Sequence, residues 1–235
     1  MGVALKGFKE SLKLASALKT IEREKFLKAK VKDRPSVMGL RGGAAVLMVA
    51  AFEYYLRTLF EIYISKLNTN PPSIDISKLP DKLKVKIVFD SLTQSMKGSK
   101  YGAKKEKVDR INDITTACKY LICDHVDPAT FTETNSNPNS ATVKAKFKEI
   151  GIEDVYALIK SDFEKKWGSR VAIRFVEDKL NEIVQIRHVV AHTTDTLKIT
   201  KKTQNESLKF LTILAELLEK VIEKQIKNLL KIGKK

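Results

Sequence analysis

Cysteine is nearly missing from this chain: Cys118 and Cys123 are the only two in 235 residues. A disulfide scaffold is thereby excluded, and two thiols at this loose spacing read as packed or idle, as in a reducing compartment. Histidine is almost as scarce, with His125, His188 and His192 alone, so few side chains are able to exchange protons near neutral pH. There is no glycine-rich phosphate loop, no internal repeat and no heptad pattern long enough for an extended coiled coil. The most apolar stretch, Gly42 to Ala51, meets Glu53 and Arg57 within a turn, too soon for a membrane span of about 20 residues. Lys6 and Lys9 interrupt the first residues before they reach the apolar length of a signal peptide. These lacks predict a cytoplasmic protein with no membrane partner.

Acidic residues are also few, with 28 Asp and Glu against 44 Lys and Arg and a net charge of +16. An excess of this size favours a polyanionic partner, because neutralising phosphates releases condensed counterions, and nucleic acid is the first candidate. Solvation of helix faces by lysine accounts for the same charge without a partner.

What is present is enough apolar material, 43% of residues, for one sizeable core. We read the chain as a single all-α domain over 1–235. Residues 1–35 supply an amphipathic N-terminal helix, 36–230 the core of a helical bundle with extra helices and long connecting loops, and 231–235 a frayed basic tail. In the first helix Leu5, Phe8, Leu12, Ala15 and Leu18 recur at helical spacing. Asp33-Arg34-Pro35-Ser36 breaks it, and Ser36 is placed to cap a second helix running to about Leu67. That helix carries Ala45, Met48, Phe52, Leu56 and Leu59 on one stripe, and its small residues Gly42 to Ala45 admit a close neighbour.

Asn68 to Pro72 ends it, and a shorter amphipathic segment spans Ser77 to Asp90. A basic loop then holds Lys100, Tyr101, Lys104 and Lys105, suited to RNA phosphate and base stacking or else an ordinary exposed connection. Further helices are predicted over Val108 to Cys123, Ala141 to Glu149 and Asp154 to Trp167. Gly151 stands where a C-terminal glycine belongs. Ser169 to Thr193 reads as one long helix, and Thr203 with Glu206 as a capping box for the last, whose end from Lys224 onward is expected to fray.

Chemistry concentrates near the end of that long helix, in Gln185-Ile186-Arg187-His188-Val189-Val190-Ala191-His192. Arg187 carries a permanent charge able to grip phosphate oxygens as a fork, and His192 can move a proton as base or acid. Cleaving RNA by its own 2′-hydroxyl needs a base, an acid and a cation beside the phosphorane. One motif supplies one such histidine; two copies facing across a two-fold axis supply both, so a homodimer is expected. Glu53 stands in an otherwise apolar helix, where it either takes a partner such as Arg187 or a backbone amide, or meets solvent at the stripe's edge.

The motif Arg187, His188, His192 on a late helix resembles that of the HEPN superfamily. So does the run Gly43 to Arg57, small and apolar residues leading into an acidic and aromatic segment. Asn137-Pro138-Asn139 before a helix ending at Gly151-Ile152 is similar to an element of its RiboL-PSP branch. The resemblance implies a metal-independent endoribonuclease acting as a dimer without a cofactor, commonly a toxin or antiviral defence effector with a cognate antitoxin or defence-system partner. Arg187 and His192 take the catalytic roles, with His188 beside them in a place more often held by Asn. Some HEPN proteins bind RNA or nucleotides without cutting, or act as scaffolds. A zinc site from His188, His192, Cys118, Cys123 and Asp195 is the competing reading, weakened by loose cysteine spacing and the lack of a placed general base.

Overall fold

A computed structural model describes residues 2–68, 74–90, 92–93, 96, 106–122, 126, 128–132, 137–193 and 199–233. Among them eight α-helices are delimited and no strand: α1 (Val3–Lys25), α2 (Arg34–Ser65), α3 (Asp81–Val85), α4 (Lys107–Ile122), α5 (Ser140–Glu149), α6 (Val155–Trp167), α7 (Phe175–Thr193) and α8 (Lys201–Ile232). The all-α class expected from the periodicity is what the chain adopts. Its contacts group into two compact units, one of 1–56, 134–143 and 156–219, the other of 57–133, 144–155 and 220–235.

In the first unit the apolar stripe of α1 meets the first half of α2 and most of α8. Phe8, Phe52 and Tyr55 form a ring cluster with centroids 5.1 to 6.2 Å apart. The Tyr55 hydroxyl, buried with its ring, donates to the Ala215 carbonyl at 2.6 Å. Each such ring removed from water contributes about 1.5–3 kcal/mol, so this cluster fixes the packing of three helices. Leu18 of α1 comes within 3.2 Å of where a Cβ on Gly43 would stand, the close approach that the small residues of α2 foretold. A second cluster joins Phe163 and Trp167 of α6 to Phe175 of α7 and Phe210 of α8.

The second unit is built around Phe60 of α2, which meets Phe147 edge to face at 5.3 Å. The Lys146 ammonium, almost wholly buried, donates to the Phe131 carbonyl at 2.6 Å and lies over the Phe60 ring, which satisfies a charge that burial would otherwise make costly. Residues 31–68 pass, by length and composition only, as a stretch able to cross a membrane. In the sequence Glu53 and Arg57 interrupt that apolar run. In the fold Ala45, Met48, Phe52, Leu56 and Leu59 are buried, although only 39% of the most apolar window is.

Several boundaries differ from those read in the sequence. Ser36 is not a cap: α2 starts at Arg34, behind a 3-10 turn Val31–Asp33 in which the Asp33 carboxylate accepts the Lys30 N–H at 2.8 Å. The segment Ser77 to Asp90 divides into a 3-10 turn, α3 and a π turn over Lys86–Asp90. The motif helix begins at Phe175 and not Ser169, because Gly168 takes a left-handed φ of 93° and closes α6 with its N–H on the Glu164 carbonyl at 2.9 Å. The last helix is capped by Thr200, whose Oγ1 accepts the Thr203 N–H at 3.0 Å, in place of the Thr203–Glu206 box. Nor does it fray from Lys224: α8 continues to Ile232, with Ile226 and Leu229 buried and the Gly233 carbonyl accepting the Asp75 N–H at 2.9 Å.

Candidate active site

α7 carries its apolar stripe on Val176, Leu180, Ile183 and Val184, all buried. Arg187 follows Ile183 by four residues and so continues that stripe, which leaves it half-buried at the edge of the core. His188 and His192 share an adjacent face at i, i+4 spacing. Both are exposed, and their ring centroids lie 4.4 Å apart. The helix thus holds the arginine by packing and presents the imidazoles to incoming molecules.

The orientation of Arg187 is set from fifty residues away. Its Nη1 donates to the Asn137 Oδ1 at 2.7 Å, while its Nε is buried with no hydrogen-bond partner among the described residues. Asn137 is itself held by the turn it begins. The Asn139 Oδ1 accepts the Thr142 N–H at 2.9 Å and caps α5, and the Thr142 hydroxyl donates to the Asn137 carbonyl at 3.0 Å. Pro138 is buried between them. A second tie joins the same two elements: Asn181, six residues before Arg187 on α7, accepts the Ser140 N–H on its Oδ1 at 2.9 Å. The Asn-Pro-Asn turn and α7 are therefore latched at two points.

An amide partner has a chemical consequence. Among the described residues no carboxylate forms an ion pair with Arg187, so its guanidinium is positioned without its charge being cancelled. That is the state in which an arginine can take a phosphate. The sequence offered Asn137 as part of an Asn-Pro-Asn element before a helix but not as the group orienting Arg187, and Asn181 gave no signal at all. Both partnerships are long-range, and periodicity is blind to them.

Glu53 is half-buried on α2 and has interactions of its own, while the hydrogen bond described for Arg187 goes to Asn137 instead. Lys100, Tyr101, Lys104 and Lys105 lie outside the described residues, as do His125, Cys123 and Asp195. Cys118 is exposed on α4. Among the described residues no group of three or more His, Cys, Asp or Glu side chains is placed to hold a metal ion.

Comparison with protein families matches the chain to the RiboL-PSP-HEPN family over residues 8–228. The chain belongs to this family. No characterised protein and no solved structure matches it significantly. Each element that carries the HEPN resemblance lies inside the matched span: the α2 run Gly43 to Arg57, the Asn-Pro-Asn turn, and Arg187 with His192 on α7. The HEPN module is an all-α one, commonly associated with ribonuclease activity, and the helical architecture agrees with it.

Proposed function

We propose that this HEPN protein is a metal-independent endoribonuclease that cuts RNA by internal transesterification. The observation that carries the reading is Arg187, half-buried, oriented by a neutral amide at 2.7 Å and left with its full charge, about one and a half helical turns before an exposed His192. A basic imidazole takes the 2′-hydroxyl proton as that oxygen attacks the adjacent phosphorus. The bond from phosphorus to the 5′-oxygen breaks, and the departing oxygen receives a proton from an acidic imidazole. Products are a 2′,3′-cyclic phosphate and a 5′-hydroxyl. Arg187 stabilises the charge that gathers on the non-bridging oxygens between these steps.

Base and acid must stand on opposite sides of the phosphorus, which one helix face cannot arrange. A homodimer that apposes two α7 helices brings two His192 and two Arg187 to one scissile bond, with His188 next to each His192 as an orienting or proton-sharing neighbour. Such an enzyme suits the role of a cytoplasmic toxin or antiviral defence effector kept in check by a cognate antitoxin or defence-system partner.

The 2′-hydroxyl is the nucleophile here, so an RNA methylated on its 2′ oxygens should survive conditions that consume the unmodified strand. Sedimentation should give twice the monomer mass at concentrations that support cutting. Equal cutting of the methylated strand, or full activity as a monomer, contradicts the mechanism.

A further inference from the structure

Beyond Glu22, the last buried residue of α1, the chain runs through twelve residues to Arg34 with six cations and two anions. Both anions are engaged within the segment. Glu24 lies 3.8 Å from Arg23, and Asp33 accepts the Lys30 backbone N–H. Lys25, Lys28, Lys30, Lys32 and Arg34 are all exposed, and none forms an ion pair among the described residues. Elsewhere in this unit lysines are drawn to carboxylates, as Lys9 and Lys166 are to Glu216, each at 2.7 Å. Like charges left together without counterions repel, and a bound polyanion would offset that repulsion.

The segment also has a defined place. Glu22 is gripped by Arg41 at 2.7 Å and approached by Lys201 at 3.7 Å, and Arg41 donates to the Ile199 carbonyl at 3.1 Å. Ile199, Thr203 and Gln204 line one small cavity together with Ile183 and Ile186 of α7. The basic segment thus starts at the end of this unit where α7 finishes and α8 begins, the end that carries Arg187 and His192. Lys201 and Lys202, both exposed, add two more cations there.

From this juxtaposition we infer that the segment Arg23–Arg34 is a binding site for the phosphate backbone of single-stranded RNA flanking the bond to be cut. It deepens the nuclease reading by naming where the substrate strand lies. Exposed Leu27 and Val31 between the lysines give the segment an apolar component that sugars and bases can meet. An anionic lipid surface would use the same charges, but it has no reason to sit beside an arginine and histidine pair.

The test measures binding apart from cutting. A short fluorescent RNA, methylated at its 2′ oxygens so that it offers no nucleophile, is titrated by anisotropy across a NaCl series. The proteins are wild type, K25Q/K28Q/K30Q/K32Q, and the same four positions changed to Arg. Each phosphate contact on a single strand contributes about 0.7 to the log–log salt slope, so the Gln variant should lose about 2–3 of slope and weaken about tenfold or more at low salt. The Arg variant should bind as wild type does, and a melting temperature of the Gln variant equal to wild type excludes misfolding as the cause. Wild-type affinity and slope in the Gln variant overturn the inference, and so does a defect confined to phosphatidylglycerol vesicles. A protein that binds through this segment yet cuts no RNA refutes the nuclease reading alone; one that cuts but binds equally after substitution refutes this site alone.

Discussion

A neutral amide and a carboxylate can each orient a guanidinium, but they leave it with different charge. Asn137 is the amide, at 2.7 Å from Arg187 Nη1 and half-buried with it. A hydrogen bond to a charged group contributes about 1.5–3 kcal/mol when buried, and half-exposure trims that, so Asn137→Ala should cost about 1 kcal/mol of stability. The larger effect should fall on cutting, as a lower kcat with little change in KM, because the strand is held elsewhere while the charge beside the phosphorane loses its aim. Single-turnover kinetics on one RNA check this, and an unchanged kcat would mean that Arg187 needs no such support. Arg187 and His192 were legible in the sequence as residue types at a spacing. Their support was not, because a partner fifty residues away leaves no periodic trace.

At the scale of the helices, residue chemistry shows where elements stop as clearly as where they run. Gly168 adopts a φ of 93° with nothing within 4 Å of a Cβ there, so Gly168→Ala is opposed by backbone strain alone. A left-handed non-glycine residue costs about 1–2 kcal/mol, a loss that thermal unfolding should register. Thr200→Ala removes the cap of α8 and should cost about 1 kcal/mol, while Thr203→Ala should cost less if Thr200 is the cap. The reverse order in chemical denaturation would restore the Thr203–Glu206 box. The periodicity of α1, α2 and α8 was readable because each buries a long apolar stripe. The start of α7 was not, since Ser169 to Arg174 contains no residue that forbids a helix, and the left-handed turn at Gly168, beside the ring cluster of Phe163, Trp167, Phe175 and Phe210, shows only in the fold.

Across the whole molecule the excess of positive charge makes each carboxylate matter. Glu216 of α8 is clamped by Lys9 of α1 and Lys166 of α6. Burial pushes its carboxyl upward, but hydrogen bonds and charge from the two lysines together outweigh that and hold it below its ordinary value of 4.5. A carboxyl depressed by folding adds stability above its unfolded value, and that contribution disappears as pH falls through the folded one. Glu216→Gln should therefore be less stable than wild type at neutral pH, with the gap closing as pH falls below about 4.5. Melting temperatures across an acid series measure this, and a gap independent of pH would assign the loss to packing. Net charge of +16 pointed to a polyanion from composition alone. The concentration of unpaired cations at the α7 end of one unit needed the fold, since charge runs in sequence do not reveal which lysines meet carboxylates.

If Arg187 and His192 cut RNA, purified wild type and His192→Ala should differ when each is incubated with labelled total RNA and tRNA in excess EDTA. His192 is exposed, so its loss should change stability by no more than about 0.5 kcal/mol. Loss of one general acid or base lowers rates by about 10²–10⁴. Wild type should cut in the presence of the chelator and leave product ends bearing 2′,3′-cyclic phosphate, with a fall of that size in the variant. Equal cutting by both proteins, or RNA left intact by both, would contradict it.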